Sequence, residues 1–324
     1  ALRHRRSPVR LSTAATQRSV RASLIAEVAN AWLTLAANQD LLKLAQETLA
    51  SRTTTLELTR RQQALGGTSQ LSVAQARSST EAARGDVANY LSLVDQSRNA
   101  LNLLAGAAVP DDCLPAPRNG LGAGALALVE VPAGLSSAVL LPRPDIVSAD
   151  HPLIGAYADI GAARAAFFPT ITLTGSLGTA SSSLSGLFDA STRAWAFAPA
   201  LSLPIFDAGR LSASLSVAET SRDIQLATYE KTVQTAFREV ADALAERRTL
   251  AERLDAQRSL LDATSRSFSL SQSLFRSGAS SYLDVLDAQR AYYAAQQTLI
   301  GLQLTEQTNR LTIYKVLGGG WKES

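Results

Sequence analysis

The 324-residue chain is poor in the residues from which active sites and metal sites are built. It has one cysteine, Cys113, two widely separated histidines, His4 and His151, and no methionine. A single cysteine excludes an internal disulfide, and isolated histidines without neighbouring cysteines do not make a metal site. We find no phosphate-binding loop and no nucleophile, base and acid triad, so the sequence predicts a non-enzyme that needs no cofactor.

Charge and long apolar runs are also scarce. Only 18% of the residues are charged and the formal net charge is +3, which leaves no basic surplus to favour nucleic acid. No run of 18 apolar residues exists, so no transmembrane helix is predicted. The chain shows no signal peptide and no first methionine, which suggests a mature or cut fragment. Alanine and leucine, with aromatics at only 6%, supply most of the 46% hydrophobic content.

The most informative pattern is an internal repeat. Residues 27–31, EVANA, match residues 239–243, EVADA, which lie 212 positions later (239 − 27). The same offset holds without a gap and pairs Gly66 with Gly278, Ser69 with Ser281 and Gly106 with Gly318. Paired glycines in one gapless register indicate a duplication.

Each copy is predicted to be a long helical hairpin, at residues 17–106 and 207–318. Apolar residues recur at spacings of three and four, which is typical of a helical seam. The seam positions that we predict are Ile25, Val28, Trp32, Leu35, Leu42 and Leu49 in the first copy and Val233, Phe237, Val240, Leu244, Ala251, Leu254 and Leu261 in the second. The helix from about 211 to 276 would span on the order of 100 Å.

The two hairpin tips carry the residues of helix ends. Gly66 and Gly278 relax the backbone where one helix stops, and Ser69 and Ser281 are expected to cap the returning helix. The need to end one helix and begin the next is enough to explain these glycines and serines, so they do not by themselves indicate a function.

Two short segments alternate in a way that helices do not. From Thr170 and from Ala194, large apolar side chains share one face of a predicted strand, and small or hydroxylic ones share the other. Each run is close to the roughly 9 to 11 residues that a tilted membrane strand needs. A strand of a soluble sandwich is the alternative, but no further strands are evident for this hairpin to pack against. The residues of the apolar face are Ile171, Leu173, Leu177, Trp195, Phe197, Leu201 and Leu203.

The remaining segments connect these elements. Residues 107–142 are rich in proline and glycine and form a connector, and residues 143–169 should be a helix, disturbed at Pro152, that leads into the hairpin of 170–206. Residues 319–324 are a tail. Residues 1–16 are basic, contain Pro8 and do not continue the seam, so we expect them to be disordered. An unrelated leader or a shifted reading frame would also account for them.

The duplication also predicts a second strand hairpin before the first repeat. A counterpart of the strand hairpin would lie at negative residue numbers, so the chain is expected to be N-terminally incomplete. We therefore predict that this polypeptide alone does not form a closed native pore.

Several motifs together resemble one family. The segments LPRPDI at 141–146, GAARAAFFP at 161–169, LPIF at 203–206, YLDVLDAQR at 282–290 and LGGGW at 317–321 are similar to signature segments of TolC-like outer-membrane efflux proteins. The similarity runs from about Arg18 to Trp321 and is greatest with the branch that serves resistance-nodulation-division pumps, many of whose members are lipoproteins. No lipidation cysteine is seen here, since Cys113 is internal.

The resemblance implies a fold and a function. The fold would be mainly α, with long helical hairpins forming a periplasmic α-barrel and strands contributing to a trimeric outer-membrane β-barrel. The protein would be a homotrimeric, passive exit duct for drugs or other small toxic compounds, located in the outer membrane of a Gram-negative bacterium and extending into the periplasm. Its partners would be a periplasmic membrane-fusion adaptor, an inner-membrane resistance-nodulation-division pump and outer-membrane lipid, with no nucleic acid.

The resemblance also implies site residues. Leu283 and Asp287 would form rings at a periplasmic gate, and Arg276 with Glu57 is a candidate ionic latch. The tips at Gly66, Ser69, Gly278 and Ser281 would dock the adaptor. Pro142 and Pro152 depart from the family pattern in the middle region. A type I secretion or metal-efflux duct of the same family, and a soluble periplasmic coiled-coil scaffold, remain alternatives.

Overall fold

The computed structural model describes residues 2–115, 140–182, 184–186, 188 and 193–318, with side chains from Thr13 onwards. These residues form two compact units, one of residues 1–17 and 144–234 and the other of residues 18–143 and 235–324. The elements in chain order are α1 (Leu2–Ala64), α2 (Gln70–Ala105), α3 (Pro144–Ala165), β1 (Thr170–Thr179), β2 (Arg193–Ser202), α4 (Arg210–Arg276) and α5 (Tyr282–Val316).

The first helix begins earlier than the sequence suggested. Helix α1 starts at Leu2, so the prediction that residues 1–16 are disordered is wrong for residues 2–16. Pro8 removes one backbone hydrogen bond, to the carbonyl of His4, but its fixed φ angle is helical. The surrounding leucine, alanine and arginine residues are strong helix formers, which favours continuation of the helix. Pro152 is tolerated in the same way inside α3.

The structure repeats at the offset that the sequence predicted. Helix α1 ends at Ala64 and α4 ends at Arg276, which is 212 residues later (276 − 64). Helix α2 begins at Gln70 and α5 at Tyr282, again 212 residues later (282 − 70). The predicted pair of helical hairpins is therefore confirmed. Helix α2 ends one residue before Gly106 and α5 ends two residues before Gly318, and both glycines have positive φ.

The core of the unit of residues 18–143 and 235–324 lies mainly between α1 and α5. Its largest cluster of buried side chains comprises Leu33, Ala36, Ala37, Leu44, Tyr293, Ile300 and Leu311. A second cluster, near the tips, joins α1, α2 and α5 through Leu56, Ala76, Tyr282 and Leu286. These clusters hold the two hairpins of the repeat side by side.

The predicted helical seam is displaced by one position at several places. Ile25, Phe237 and Leu244 were expected at the seam, but about half of each side chain is exposed. Ala26 and Ala243, each adjacent to one of these residues, are buried instead. A methyl side chain lets two helices approach closely, so in this alanine-rich chain the contact forms on small residues.

The repeated EVAN and EVAD motifs face one another across a cleft. Glu27 and Asn30 of α1 line one wall, and Glu239 and Asp242 of α4 line the other. Beside this cleft the buried Arg143 donates one hydrogen bond to the backbone carbonyl of Val316 and another to Glu239, both at 2.8 Å. Arg143, which directly follows the connector, thereby holds the C-terminal end of α5, where a cation also complements the helix dipole.

In the unit of residues 1–17 and 144–234, α3 leads into the strand hairpin and α4 leads away from it. Arg164 of α3 forms an ion pair with Glu219 of α4 at 3.7 Å, and Arg222 lies over the ring of Tyr157 at 5.8 Å. Asp207 accepts hydrogen bonds from the amides of Gly209 and Leu211, which closes the turn between β2 and α4.

The connector is described only at its ends. Residues 111–113 form a short 3-10 turn, and residues 140–142 precede α3. Residues 116–139 and the tail of 319–324 lie outside the described residues, as does Trp321.

Among the described helices, none combines the length and the hydropathy needed to cross a membrane.

Candidate functional site: the strand hairpin and the helix tips

The two strands pair in a register that places their large apolar residues on one common face. Strands β1 and β2 are antiparallel, with Ile171 opposite Leu201 and Leu177 opposite Trp195. Because alternate residues share a face, the intervening pairs form the opposite surface. The apolar face thus comprises the pairs Ile171–Leu201, Leu173–Pro199, Gly175–Phe197 and Leu177–Trp195, and the small face Thr170–Ser202, Thr172–Ala200, Thr174–Ala198, Ser176–Ala196 and Gly178–Ala194.

Both faces of this hairpin are exposed in the single chain. Every residue of both strands is solvent-accessible, including Leu177 at 84% and Trp195 at 77% exposure. So much uncovered apolar surface marks a site of contact with another protein or with a membrane. The two outer strand edges also have no further strand beside them within the described residues.

Strand β2 ends earlier than the predicted segment. It stops at Ser202, so Leu203, which we predicted on the apolar face, lies beyond the paired strand. The reason is Pro204, which has no backbone N–H to donate to a strand partner. Leu203, Ile205 and Phe206 are nevertheless exposed at this end of the hairpin, together with Phe167 and Phe168.

The helix tips close with the same hydrogen bonds in both repeats. The amides of Gly66 and Gly67 donate to the carbonyls of Gln63 and Gln62, at 3.0 and 2.8 Å. The amides of Gly278 and Ala279 donate to the corresponding carbonyls in α4, at 3.0 and 2.9 Å. Both glycines have positive φ, 76° and 78°, which is the Schellman pattern for ending a helix. The predicted role of these two glycines in the turns is confirmed.

The serine caps are also confirmed, and the second is more elaborate. Ser69 accepts a hydrogen bond from the amide of Ser72, and Ser281 accepts one from the amide of Asp284. The Asp284 carboxylate in turn accepts hydrogen bonds from the hydroxyls of Ser280 and Ser281 and from the Ser281 amide. These bonds, led by the one from the Ser281 hydroxyl, lower the pKa of Asp284.

The predicted gate residues lie on the first turns of α5. Leu283 is about half exposed, and Asp287, one helical turn further, is also exposed. The Arg290 guanidinium lies 3.7 Å from the Asp287 carboxylate. The carboxylate at this position therefore has a cation of its own chain beside it.

The candidate latch between Arg276 and Glu57 stays a prediction. Both residues are exposed, and within the described part of the chain no ion pair joins them. Arg276 lies beside a groove whose α1 wall is made by Thr54, Thr55 and Leu58. Glu57 is not part of that wall, because it projects from another side of the helix. Two exposed charges also gain little from pairing in water.

A buried cation lies between α1, α2 and α5. Arg52 donates a hydrogen bond to the carbonyl of Ser79 at 2.9 Å and lies over the ring of Tyr293 at 5.4 Å. Burial lowers the pKa of Arg52 and raises the pKa of the Tyr293 hydroxyl. These contacts connect the two hairpins of the repeat.

Sequence reasoning missed two of the residues at the tips. Asp284 could have been found from the pattern of serine followed by an acid three positions later, which is typical of a capping box. Arg290 follows Asp287 by three residues, a spacing that brings two side chains together on a helix. In the part of the chain that the structure describes, no cluster of acids, histidines and cysteine is suited to a metal ion.

The comparison with protein families gives one match. The family of outer membrane efflux proteins matches residues 9–107 and 135–319 of this chain. The match therefore includes both helical repeats and the strand hairpin, and it leaves out most of the proline- and glycine-rich connector.

Similar proteins are outer-membrane components of efflux pumps. The solvent efflux pump outer membrane protein SrpC of Pseudomonas putida is 47% identical over 314 residues, which are 97% of this chain and 66% of SrpC. The cation efflux system protein CusC of Escherichia coli O157:H7 is 41% identical over 313 residues, 97% of this chain and 67% of CusC. The chain thus spans slightly less than two thirds of the length of SrpC.

Solved structures share the fold. A crystal structure of CusC matches with a TM-score of 0.91 and 40% identity, over 98% of this chain and 73% of that one. The open state of the MtrE outer membrane channel of Neisseria gonorrhoeae matches with a TM-score of 0.87 and 39% identity, over 97% and 70%. Long helical hairpins with a strand hairpin are therefore the fold of outer-membrane channels.

Proposed function

Since this chain belongs to the outer membrane efflux protein family, we propose that the protein is the exit duct of a tripartite efflux system. It lies in the outer membrane of a Gram-negative bacterium. As a duct it performs no chemical reaction. Its function is to give small molecules a water-filled path across the outer membrane and the periplasm.

The observation that carries this proposal is the two-faced hairpin. Its apolar face, from Ile171 to Leu177 and from Trp195 to Leu201, suits contact with lipid. Its small face of threonine, serine, glycine and alanine suits a water-filled lumen. A strand edge in lipid must be paired, because no water is present to bind its backbone groups. We therefore propose that neighbouring subunits of a homotrimer place strands beside both edges of this hairpin, although the two described strands of this chain are too few to close the barrel by themselves.

The helical hairpins are proposed to form the periplasmic part of the duct. Their tips, at Gly66 to Ser69 and Gly278 to Ser281, are the proposed docking points for a periplasmic membrane-fusion adaptor. The tight turns and serine caps make both tips rigid, and a rigid surface loses less entropy on binding. An inner-membrane resistance-nodulation-division pump would supply the energy, since nothing in a passive duct drives transport.

The periplasmic entrance is proposed to lie at the start of α5. In a trimer, Leu283 would contribute an apolar ring and Asp287 a ring of three carboxylates. Arg290 lies 3.7 Å from Asp287 in the same chain, so each carboxylate of the ring would have a cation beside it.

The proposed substrates are drugs, solvents or other small toxic compounds. The similarity to SrpC, a solvent efflux protein, supports this class. The similarity to CusC, a component of a cation efflux system, favours a second candidate, a duct for metal cations. Because a wide pore discriminates little, we expect the partner pump to choose between them.

Complementation tests the proposal. The full-length protein is expressed in a Pseudomonas putida strain that lacks its own solvent-efflux outer membrane protein but retains the adaptor and pump. We expect toluene tolerance to return and the protein to be found in the outer-membrane fraction. Tolerance to toxic metal cations, tested in a strain without CusC, would indicate the cation duct instead. Recovery of the protein only in the soluble fraction would refute both and favour a periplasmic scaffold.

A further inference from the structure

The apolar face of the hairpin ends in a cation at the end farthest along the strands from α3 and α4. The last apolar pair is Leu177 with Trp195, and the next pair on the same face is Thr179 with Arg193. Pairs two residues apart share a face, so Arg193 projects on the same side as Trp195. This face carries no other charged residue within β1 and β2.

The dimensions place Arg193 at the edge of a membrane. From Ile171 to Thr179 the strand extends about 26 Å at 3.3 Å per residue, or about 20 Å along the membrane normal at a tilt of about 40°, which covers most of the apolar band of about 25 Å on barrels. Aromatic residues mark both ends of this band, Trp195 at one and Phe167 and Phe168 at the other. A tryptophan prefers the interface of the membrane with water, and an arginine next to it on the outer side reaches the headgroups.

The chemistry of this end suits an anionic headgroup. Arg193 is exposed, and among the described residues no carboxylate forms an ion pair with it. A guanidinium binds phosphate oxygens through two parallel N–H donors, and the Thr179 hydroxyl opposite it can donate a third hydrogen bond.

We propose that Arg193, with Thr179, binds the phosphate of a phosphorylated lipid in the outer leaflet of the outer membrane. The proposal rests on the proposed function, which places α3 and α4 on the periplasmic side and therefore the Arg193 end of the hairpin on the outer side. The bound phosphate would fix the depth at which the barrel lies in the membrane. It would act at the end of the hairpin where the apolar band stops.

The test measures binding of a stated lipid to the full-length protein. Diphosphoryl lipid A is titrated into the purified protein in detergent, and the bound lipid is counted by native mass spectrometry. Dephosphorylated lipid A with the same acyl chains serves as the second probe. We expect Arg193→Gln to weaken binding of the phosphorylated probe about fivefold, as expected for one arginine at a charged membrane surface.

Matched variants make the result specific. Arg193→Lys keeps the charge but loses the two parallel N–H donors, so it should retain only part of the binding. Arg238→Gln removes an exposed arginine of α4 outside the hairpin and should leave binding unchanged. Equal binding of lipid A by the wild type and Arg193→Gln, or equal binding of the dephosphorylated probe by the wild type, would overturn the proposal.

A second measurement separates this proposal from the function on which it rests. These 324 residues contain three tryptophans. With Trp32 and Trp321 replaced by phenylalanine, Trp195 is the only tryptophan left among them. Lipids brominated on their acyl chains should quench Trp195 in proteoliposomes. Quenching without any effect of Arg193→Gln on lipid A binding refutes the phosphate site alone. Absence of quenching refutes the membrane hairpin, and the phosphate site with it.

Discussion

Asp284 distinguishes the tip of the second repeat from that of the first. Its carboxylate accepts hydrogen bonds at the start of α5, which lower its pKa below the usual 3.8, whereas the corresponding residue at the start of α2 is the neutral Ser72. A carboxylate with a depressed pKa stabilises the folded state above its unfolded pKa, and this contribution is lost as pH falls through the folded value. We therefore expect the first turn of α5, and not that of α2, to open on acidification below about pH 4.

Hydrogen exchange of the two tips, followed by mass spectrometry over a series of acidic pH values, measures this difference. Asp284→Asn keeps the shape of the side chain but removes its charge, so the pH response of the second tip should disappear. The first tip is the internal control because Ser72 does not titrate. If both tips open together, the capping box is not the cause.

Arg143 is the second residue whose loss we expect to be specific. Its side chain is only 7% exposed and binds the Val316 carbonyl and Glu239, so its removal breaks two charge-assisted hydrogen bonds. Arg143→Gln should lower the opening free energy of the last turn of α5 by about 2 kcal/mol. Hydrogen exchange at residues 313–317 measures that energy.

A surface ion pair provides the control for Arg143. Arg266 and Asp262 lie 2.9 Å apart on α4, but both side chains are mostly exposed. Exposed ion pairs are worth about 0 to 1 kcal/mol, so Arg266→Gln should change the opening free energy of the surrounding turn of α4 by no more than this amount. An equal effect of both substitutions would show that Arg143 has no special role in holding α5.

At the scale of the element, the tips depend on glycine in a left-handed conformation. Gly278 has a φ of 78°, and an added Cβ atom would meet nothing within 4 Å, so the cost of alanine there is backbone strain alone. We expect Gly278→Ala to destabilise the tip by about 1 kcal/mol and to accelerate exchange of the Ala279 amide.

Gly85 in α2 is the matched control for this substitution. It also has open space around it, but its backbone is helical. Gly85→Ala should therefore stabilise α2 by up to about 1 kcal/mol, the opposite sign. If Gly278→Ala also slows exchange, the left-handed turn is not what limits the stability of the tip.

The tips and the helix faces differ in how far the sequence determines them. Positive φ at Gly66 and Gly278 and the caps at Ser69 and Ser281 depend on local geometry, so residue types alone predicted them. The buried face of a helix depends on its neighbours. In an alanine-rich helix several stripes can be buried, and for this reason Ala26 rather than Ile25 was found in the core. Contacts between distant segments, such as those of Arg143, leave no local pattern in the sequence.

At the scale of the whole molecule, uncovered apolar surface is the feature that remains to be explained. The hairpin exposes both of its faces, and the helices expose large side chains such as Ile25, Phe237 and Leu270. Contact between water and so much apolar surface is energetically unfavourable, and such a surface is normally covered by another molecule. Lipid against the hairpin and neighbouring copies against the helices would cover it, which agrees with the proposed trimeric duct.

Two adjacent residues of β1 test which face of the hairpin meets lipid. Leu173 lies opposite Pro199 on the apolar face, and Thr174 lies opposite Ala198 on the small face. An arginine facing the middle of the bilayer costs about 2 to 4 kcal/mol, whereas one in a water-filled lumen remains hydrated. Leu173→Arg should therefore strongly reduce the amount of folded protein in the outer membrane, measured by protease resistance of isolated membranes. Thr174→Arg should fold normally and slow the efflux of a cationic dye, because the charge then lines the path.

The opposite result, normal folding of Leu173→Arg and loss of folded protein for Thr174→Arg, would reverse the assignment of the two faces. Equal loss of folded protein for both variants would place the hairpin inside a protein core rather than at a lipid boundary.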